Sequence, residues 1–475
     1  MKQIEKILNS KKFFYFSIIF LTLIFFIYFT LFKILNYFNF RIYWDNIDYI
    51  KIYNVIINPA KALNKYGVNT LFISAYGSNK IFFDHLYFTS LIVLPFYYLI
   101  PTNFTLSIFH IVIILSGAIT FSIITKKLFN SFFAIIIFII FFFLPTVQGS
   151  IIVTFHSSTF LLFFLPLLFY AYIFQKPKLY LISSLLIILT REDFPIIIIL
   201  FNLLTIFDKQ FIKYKIFLII FSLIYFIIGF FLLLPYFSEN PHQHLLLYQY
   251  YDYLGANYFD IITNIPFKIP EIINILFRKQ IAFVFIIIFT PFLFLSFLNI
   301  KFLIPIIPLM FMNLLSLFPG MQDPKLYYWS PVIPFAIFSY LMALKKLNNK
   351  NQKIIFLISL IVSLIISFRW GYLPFSKYSK YYLTFNKEQY QAFKEINQKE
   401  LQNEPIITSE FLALHFINNP NLYVYDKNIP PENFLVNVKW LLAFNNHKNI
   451  IEMALNYFNF KIEKKNNYFT LLKKY

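Results

Sequence analysis

Cysteine is absent from the 475 residues. That excludes disulfides, thiolate nucleophiles and cysteine-ligated metals, and it leaves the redox compartment unread. Charge is scarce as well. Only 13% of the residues are Asp, Glu, Lys or Arg, whereas a soluble chain carries roughly a quarter. Glycine is scarce too, a shortage that reflects codon bias as much as physics. What fills the space is apolar: 59% of the chain is hydrophobic and 22% aromatic, with 67 Phe. A water-soluble fold has no way to cover so much Phe, Ile and Leu with polar surface. The expected class is therefore a polytopic integral membrane protein. The formal charge of +20 would suggest nucleic acid in a soluble protein. Here the lysines fall in short gaps between apolar runs and in a polar tail. Membrane topology and anionic headgroups account for them, and no nucleic-acid partner is expected.

The chain opens on Lys2, Lys6, Lys11 and Lys12, followed by an apolar run from Phe13 to about Leu35. That run is longer than a signal-peptide core and no small-residue cleavage site follows, so it reads as an uncleaved first span. Residues 37–103 read as an external loop carrying interfacial helices. Within it, 86–100 is apolar but short and holds Pro95. A span needs about 20 residues. If this stretch lies in the interface, Lys126 and Lys127 fall inside the cell, as the positive-inside rule favours. The later apolar runs then alternate between basic gaps and non-basic ones. The expected architecture is an all-α membrane domain over 1–368 with about 11 transmembrane helices, N-terminus in the cytoplasm. Residues 369–475 turn polar. Strands are expected at Pro405–Thr408, Leu422–Tyr425, Phe460–Glu463 and Tyr468–Leu472, with helices at Lys387–Asn403 and Ser409–His415. Together they predict a small external C-terminal α/β domain. The whole is expected as a multi-pass protein of the cytoplasmic membrane.

Ionisable groups at membrane depth are the informative ones. Thr190-Arg191-Glu192-Asp193-Phe194 places three charges in a row between two apolar runs. This is a poor simple turn, and Arg191 has the planar fork that holds a phosphate bidentately. Asp45 and Asp48 follow the first span at a spacing that shares one helix face. Either suits a general base on a hydroxyl or a ligand for a divalent cation. His85, beside Asp84, and His156 belong to the same external side as Arg191. His242 and His244 lack a third ligand, so no metal site is assigned. Asp323 with Tyr327 and Trp329 reads as an interface belt.

The order of these residues resembles a known pattern. Asp45 comes first, then Asp84-His85-Leu-Tyr-Phe-Thr-Ser-Leu running into Leu94-Pro-Phe-Tyr-Tyr, Phe155-His156, Arg191-Glu192-Asp193, and Pro405-Ile-Ile-Thr-Ser-Glu-Phe-Leu. Over most of its length the chain resembles the membrane proteins grouped as domain of unknown function 2079. That family looks like a distant relative of the GT-C glycosyltransferases, which use polyprenyl-phosphate-linked sugars. It usually has Asp-Leu-Gly after the first span and a second Asp further on. Here the stretch reads Asp45-Asn-Ile-Asp48, and both aspartates stay candidates. The resemblance implies transfer of a sugar from a polyprenyl phosphate to a glycan, lipid or protein acceptor at the external face. Asp45 or Asp48 would be the base. Arg191, His85 and His156 would meet the phosphate, and Glu192 or Asp193 would orient Arg191 or bind sugar hydroxyls. The rival expectation is a transporter or lipid flippase. Its mark would be inverted repeats and broken helices near the midplane; no internal repeat is found in the sequence.

Overall fold

The structure is a computed structural model. It describes residues 10–41, 85–100, 102–152, 155–208, 210–234, 250–255, 258–396, 399–416, 419, 421–425, 435–436 and 438–475. Asp45, Asp48, Asp84, His242 and His244 lie outside the described residues.

Most of the described chain is helix. The first helix, Lys11–Phe38, starts where Ser10 caps it, its hydroxyl accepting from the Phe13 amide at 3.1 Å. Asn130 and Asn348 cap the helices Ser131–Phe143 and Asn349–Trp370 in the same way. Each cap satisfies an amide that the helix itself leaves unpaired. Four helices among the described residues are long and apolar enough to cross a bilayer: Lys11–Phe38, Phe104–Leu128, Ile212–Leu233 and Asn349–Trp370. Three bent pairs pass the same test as broken spans, giving up to seven. The pairs are Ser131–Phe143 with Pro145–Ile152, Ile269–Leu276 with Lys279–Phe292, and Leu295–Phe302 with Ile304–Leu315. Five shorter apolar helices accompany them: Phe88–Leu99, Ser157–Ile173, Pro177–Ile188, Pro195–Leu204 and Val332–Leu344. Val332–Leu344 is buried almost all round and forms the centre of the bundle. Lys11–Phe38 and Ile212–Leu233 leave much of their apolar surface exposed, as lipid-facing helices must.

Side-chain contacts define two ends. At one, the Lys126 ammonium lies 3.8 Å from the Phe14 ring centroid and Lys127 sits over Phe174. Phe356 stacks on Phe133 at 4.4 Å there. At the other, Gln148 ties the break after Phe143 to the end of the last long helix. Its amide donates to Phe142 O and Ser367 Oγ, and its oxygen accepts from the Tyr372 amide at 2.6 Å.

The C-terminal region docks on this second end. Asn39, just past the first helix, donates to Thr384 O and accepts from the Asn386 amide, both at 2.8 Å. Phe40 packs on Phe393 and Phe469. A five-stranded mixed sheet follows, with strands β1 (Ile406–Ser409), β2 (Leu422–Tyr425), β3 (Trp440–Phe444), β4 (Phe460–Lys465) and β5 (Phe469–Lys474). Their order is β2-β1-β3-β5-β4. β1 runs parallel to β2 and β3; β5 is antiparallel to both β3 and β4. The four expected strands are present, and the central strand β3 is an addition. The expected helix over 387–403 is shorter: α-helical from Lys387 to Ile396, with a 3-10 turn at Lys399–Gln402.

Candidate functional site

A polar cluster forms where the turn at 189–194 meets the segment after His85, at the end that also carries the sheet. Pro195 starts the helix after the turn at its first position, where a missing amide costs nothing. The turn therefore closes tightly and turns its charges inward. Arg191, Glu192 and Asp193 are 8%, 2% and 7% exposed. Arg191 Nε donates to Asp193 Oδ1 at 2.6 Å and its Nη2 donates to Oδ2, a two-pronged pair. The guanidinium also lies 4.4 Å from the Phe194 ring centroid. The prong expected to take a phosphate is thus held by Asp193, and Nη1 is the nitrogen that Asp193 leaves.

Glu192 binds the neighbouring segment instead. His85 Nδ1 lies 2.5 Å from its Oε1, and the Leu86 amide donates to Oε2 at 3.0 Å. Burial pushes the Glu192 carboxyl up. His85, Arg191 and the Leu86 amide outweigh it and hold the group below the usual carboxylate range. The segment is stitched again by Thr89, whose amide donates to Leu189 O at 3.3 Å and whose hydroxyl donates to Thr190 at 3.1 Å. Gly229 faces this pair. A Cβ there would stand 3.3 Å from Glu192 Cβ. Gly229 opens a π-helical turn, Gly229–Leu233, a feature frequent near functional sites.

His156 joins through Tyr87. The Ser158 amide donates to His156 Nδ1 at 3.1 Å, which places the imidazole proton on Nε2. Nε2 therefore donates to the Tyr87 hydroxyl at 2.9 Å. Burial, then the charge of Arg191, pushes His156 well below the ordinary imidazole range, so it stays neutral. Tyr327 stacks on the ring with centroids 3.9 Å apart. Tyr327 and Trp329 are buried, and Trp329 Nε1 donates to Met321 O at 2.7 Å. They are packing elements of the cluster, which corrects the interface-belt expectation.

The structure brings His85, His156, Arg191, Glu192 and Asp193 together; Asp45 and Asp48 lie outside the described residues. Among the described residues, no group of three or more His, Asp or Glu is arranged to hold a metal ion. Sequence reasoning missed Tyr87, which links the two histidines' surroundings, and His110. His110 Nε2 lies 2.5 Å from Thr159 Oγ1, and that hydroxyl donates to His156 O at 2.5 Å. It missed Lys33 also, buried in the first helix. The available signal was weak: each is a lone ionisable residue with apolar neighbours.

A comparison with curated proteins gives no match. The family described as "Predicted membrane protein (DUF2079)" matches residues 66–462. That span takes in His85, His156, the Arg-Glu-Asp turn, strands β1 to β3 and the start of β4, and the chain belongs to this membrane-protein family.

Proposed function

We propose that the protein is a GT-C-like glycosyltransferase that moves a sugar from a polyprenyl phosphate to a hydroxyl of a glycan, lipid or protein. The observation that carries this reading is the buried Arg191–Asp193 and Glu192–His85 pairing, gathered with His156 and Tyr87 at one end of an apolar bundle. Buried ionic groups in a membrane domain are retained for function by default. Carboxylates beside a guanidinium and imidazoles suit sugar hydroxyls and a phosphate leaving group.

In the proposed step the acceptor oxygen attacks the anomeric carbon and the bond from that carbon to the phosphate oxygen breaks. The electron pair leaves with the polyprenyl phosphate. The acceptor proton passes to the Asp45 or Asp48 carboxylate. Arg191, through Nη1, and His85 stabilise charge as it develops on the phosphate, with neutral His156 acting through the Tyr87 hydroxyl, where a dry site makes such contacts strong. Asp193 orients Arg191, and Glu192 and Asp193 receive sugar hydroxyls. No metal is assigned; a divalent cation at the aspartates is the one cofactor the carboxylates suit.

The proposed topology has about 11 crossings. These are the four long helices, the three bent pairs and the shorter helices other than Phe88–Leu99, which lies in the interface. The N-terminus is cytoplasmic, and the C-terminal domain shares the external side with the site. Asp45→Asn and Asp48→Asn test the reading by turnover of a polyprenyl-phosphate sugar in detergent. One of them is expected to lose about 10²–10⁴ in rate, the usual worth of a general base. Full turnover in both would remove the base assignment. Arg191→Lys is expected to slow turnover, because it keeps charge but loses the planar fork.

A further inference from the structure

Lys33 is the least explained charge among the described residues. It lies five residues before the end of the helix Lys11–Phe38, or about 8 Å at 1.5 Å per residue. A lysine so near a helix end ordinarily extends to the headgroups. Lys33 does not: it is 2% exposed, and its Nζ has no hydrogen-bond partner among the described residues. No carboxylate forms an ion pair with it among the described residues.

Two more buried atoms lack a hydrogen-bond partner among the described residues. Asn36, one turn on, spends its amide on Phe32 O at 2.8 Å and leaves Oδ1 buried and unbonded. On the helix Asn103–Leu128, which meets the first helix where the Tyr37 and Phe104 ring centroids lie 5.1 Å apart, His110 is fully buried. Its Nε2 is committed to Thr159, while Nδ1 is buried without a partner. His110 lies about 10 Å into its own helix, so both groups sit at similar depth toward the site-bearing end. A buried ammonium with no anionic partner, at a similar depth to two unbonded acceptors, is costly. It fits a ligand that offers acceptor oxygens and one donor. A monoanionic phosphate monoester does so: its oxygens accept from Nζ, and its P–OH donates to His110 Nδ1 or Asn36 Oδ1.

We propose that Lys33, Asn36 and His110 form a binding site for a lipid-linked phosphate monoester between the first helix and the helix Asn103–Leu128. Anionic phosphates at this depth in a bilayer are carried by lipids, so the occupant has an apolar tail. The site stands apart from glycosyl transfer, since a carrier, a flippase and a transferase would each use it.

The test uses purified full-length protein in detergent, with farnesyl phosphate as the probe, read by native mass spectrometry and by the shift in melting temperature. Wild type is expected to bind. Lys33→Met is expected to fold, with an unchanged or higher melting temperature, because it removes an unpaired buried charge. Its affinity should fall at least roughly tenfold, the worth of one charge-assisted hydrogen bond. Asn36→Ala and His110→Phe should weaken binding less. Farnesol and phosphatidylglycerol should not compete, and inorganic phosphate should compete weakly. Equal competition by inorganic phosphate would overturn the lipid-linked assignment. Equal competition by phosphatidylglycerol would overturn the monoester. Unchanged binding in Lys33→Met, with loss in Arg191→Lys, would place the phosphate at the Arg-Glu-Asp turn; this inference would then fall and the transferase reading would stand. Binding that needs Lys33, in a protein that transfers no sugar, would leave the site standing and remove the transferase.

Discussion

Asp193 is what allows a guanidinium to sit 8% exposed in this bundle. Both of its oxygens accept from Arg191. Replacing Asp193 by Ala strands a buried cation, and breaking a buried pair from one side costs about 3–5 kcal/mol. Asp193→Ala is therefore expected to lower stability by that order in detergent unfolding. Arg191→Met with Asp193→Leu should cost much less, since no charge is left alone. Equal losses in the single and double variants would mean that the pair is not the source. The turn was legible in sequence because three adjacent charges interrupt an apolar run. Lys33 and His110 were not, because each is a single polar residue among apolar neighbours and nothing local tells it from an interfacial side chain. Only the packing of two distant helices shows that they share a space.

Two glycines set close backbone approaches, Gly117 between two helices and Gly149 between a helix and the turn at Lys325. A Cβ on Gly117 would stand 2.0 Å from Leu162 O, and one on Gly149 would stand 1.9 Å from Lys325 O. Small residues serve this purpose where membrane helices cross. Gly117→Ala must push Asn103–Leu128 away from Leu161–Ile173, which carries the approach to His156 and Thr159. Overpacking of this kind costs roughly 1–3 kcal/mol, and a lower melting temperature with weaker turnover is expected. A melting temperature equal to wild type would contradict the close crossing. At this scale the four long apolar helices and four of the five strands were legible in the sequence. It hid β3, because Trp440-Leu-Leu-Ala-Phe444 is a short continuous apolar run. Such a run belongs to a strand buried on both faces and gives no alternation to read. It also hid the central role of Val332–Leu344, whose all-round burial needs the neighbours to be seen.

The sheet-bearing region meets the membrane domain at His415, whose ring stacks on Tyr37 at 4.3 Å and packs on Phe40 and Phe393 at 4.8 Å. Burial pushes His415 from 6.5 down to about 4. The unfolded imidazole takes up its proton near 6.5 and the docked one only near 4. Stability from docking is therefore whole above about pH 6.5 and is lost as pH falls toward 4. Limited proteolysis at pH 7.5 and 4.5 should show the C-terminal region released at the lower pH, and His415→Phe should reduce the difference. The absence of cysteine gives a clean background for single-cysteine labelling. Cysteines at Lys127 and Lys464, both exposed, are expected to label from opposite sides of the membrane; labelling from one side would overturn the two-ended arrangement. The central claim is that a sugar is transferred at this site and not carried across the membrane. Mass spectrometry of a polyprenyl-phosphate sugar after incubation with wild-type proteoliposomes and a hydroxyl acceptor tests it most directly. The account predicts free polyprenyl phosphate and glycosylated acceptor in equal amounts, with both lost in the Asp45→Asn, Asp48→Asn double variant. An intact donor lipid found in the opposite leaflet, with no phosphate released, would contradict it.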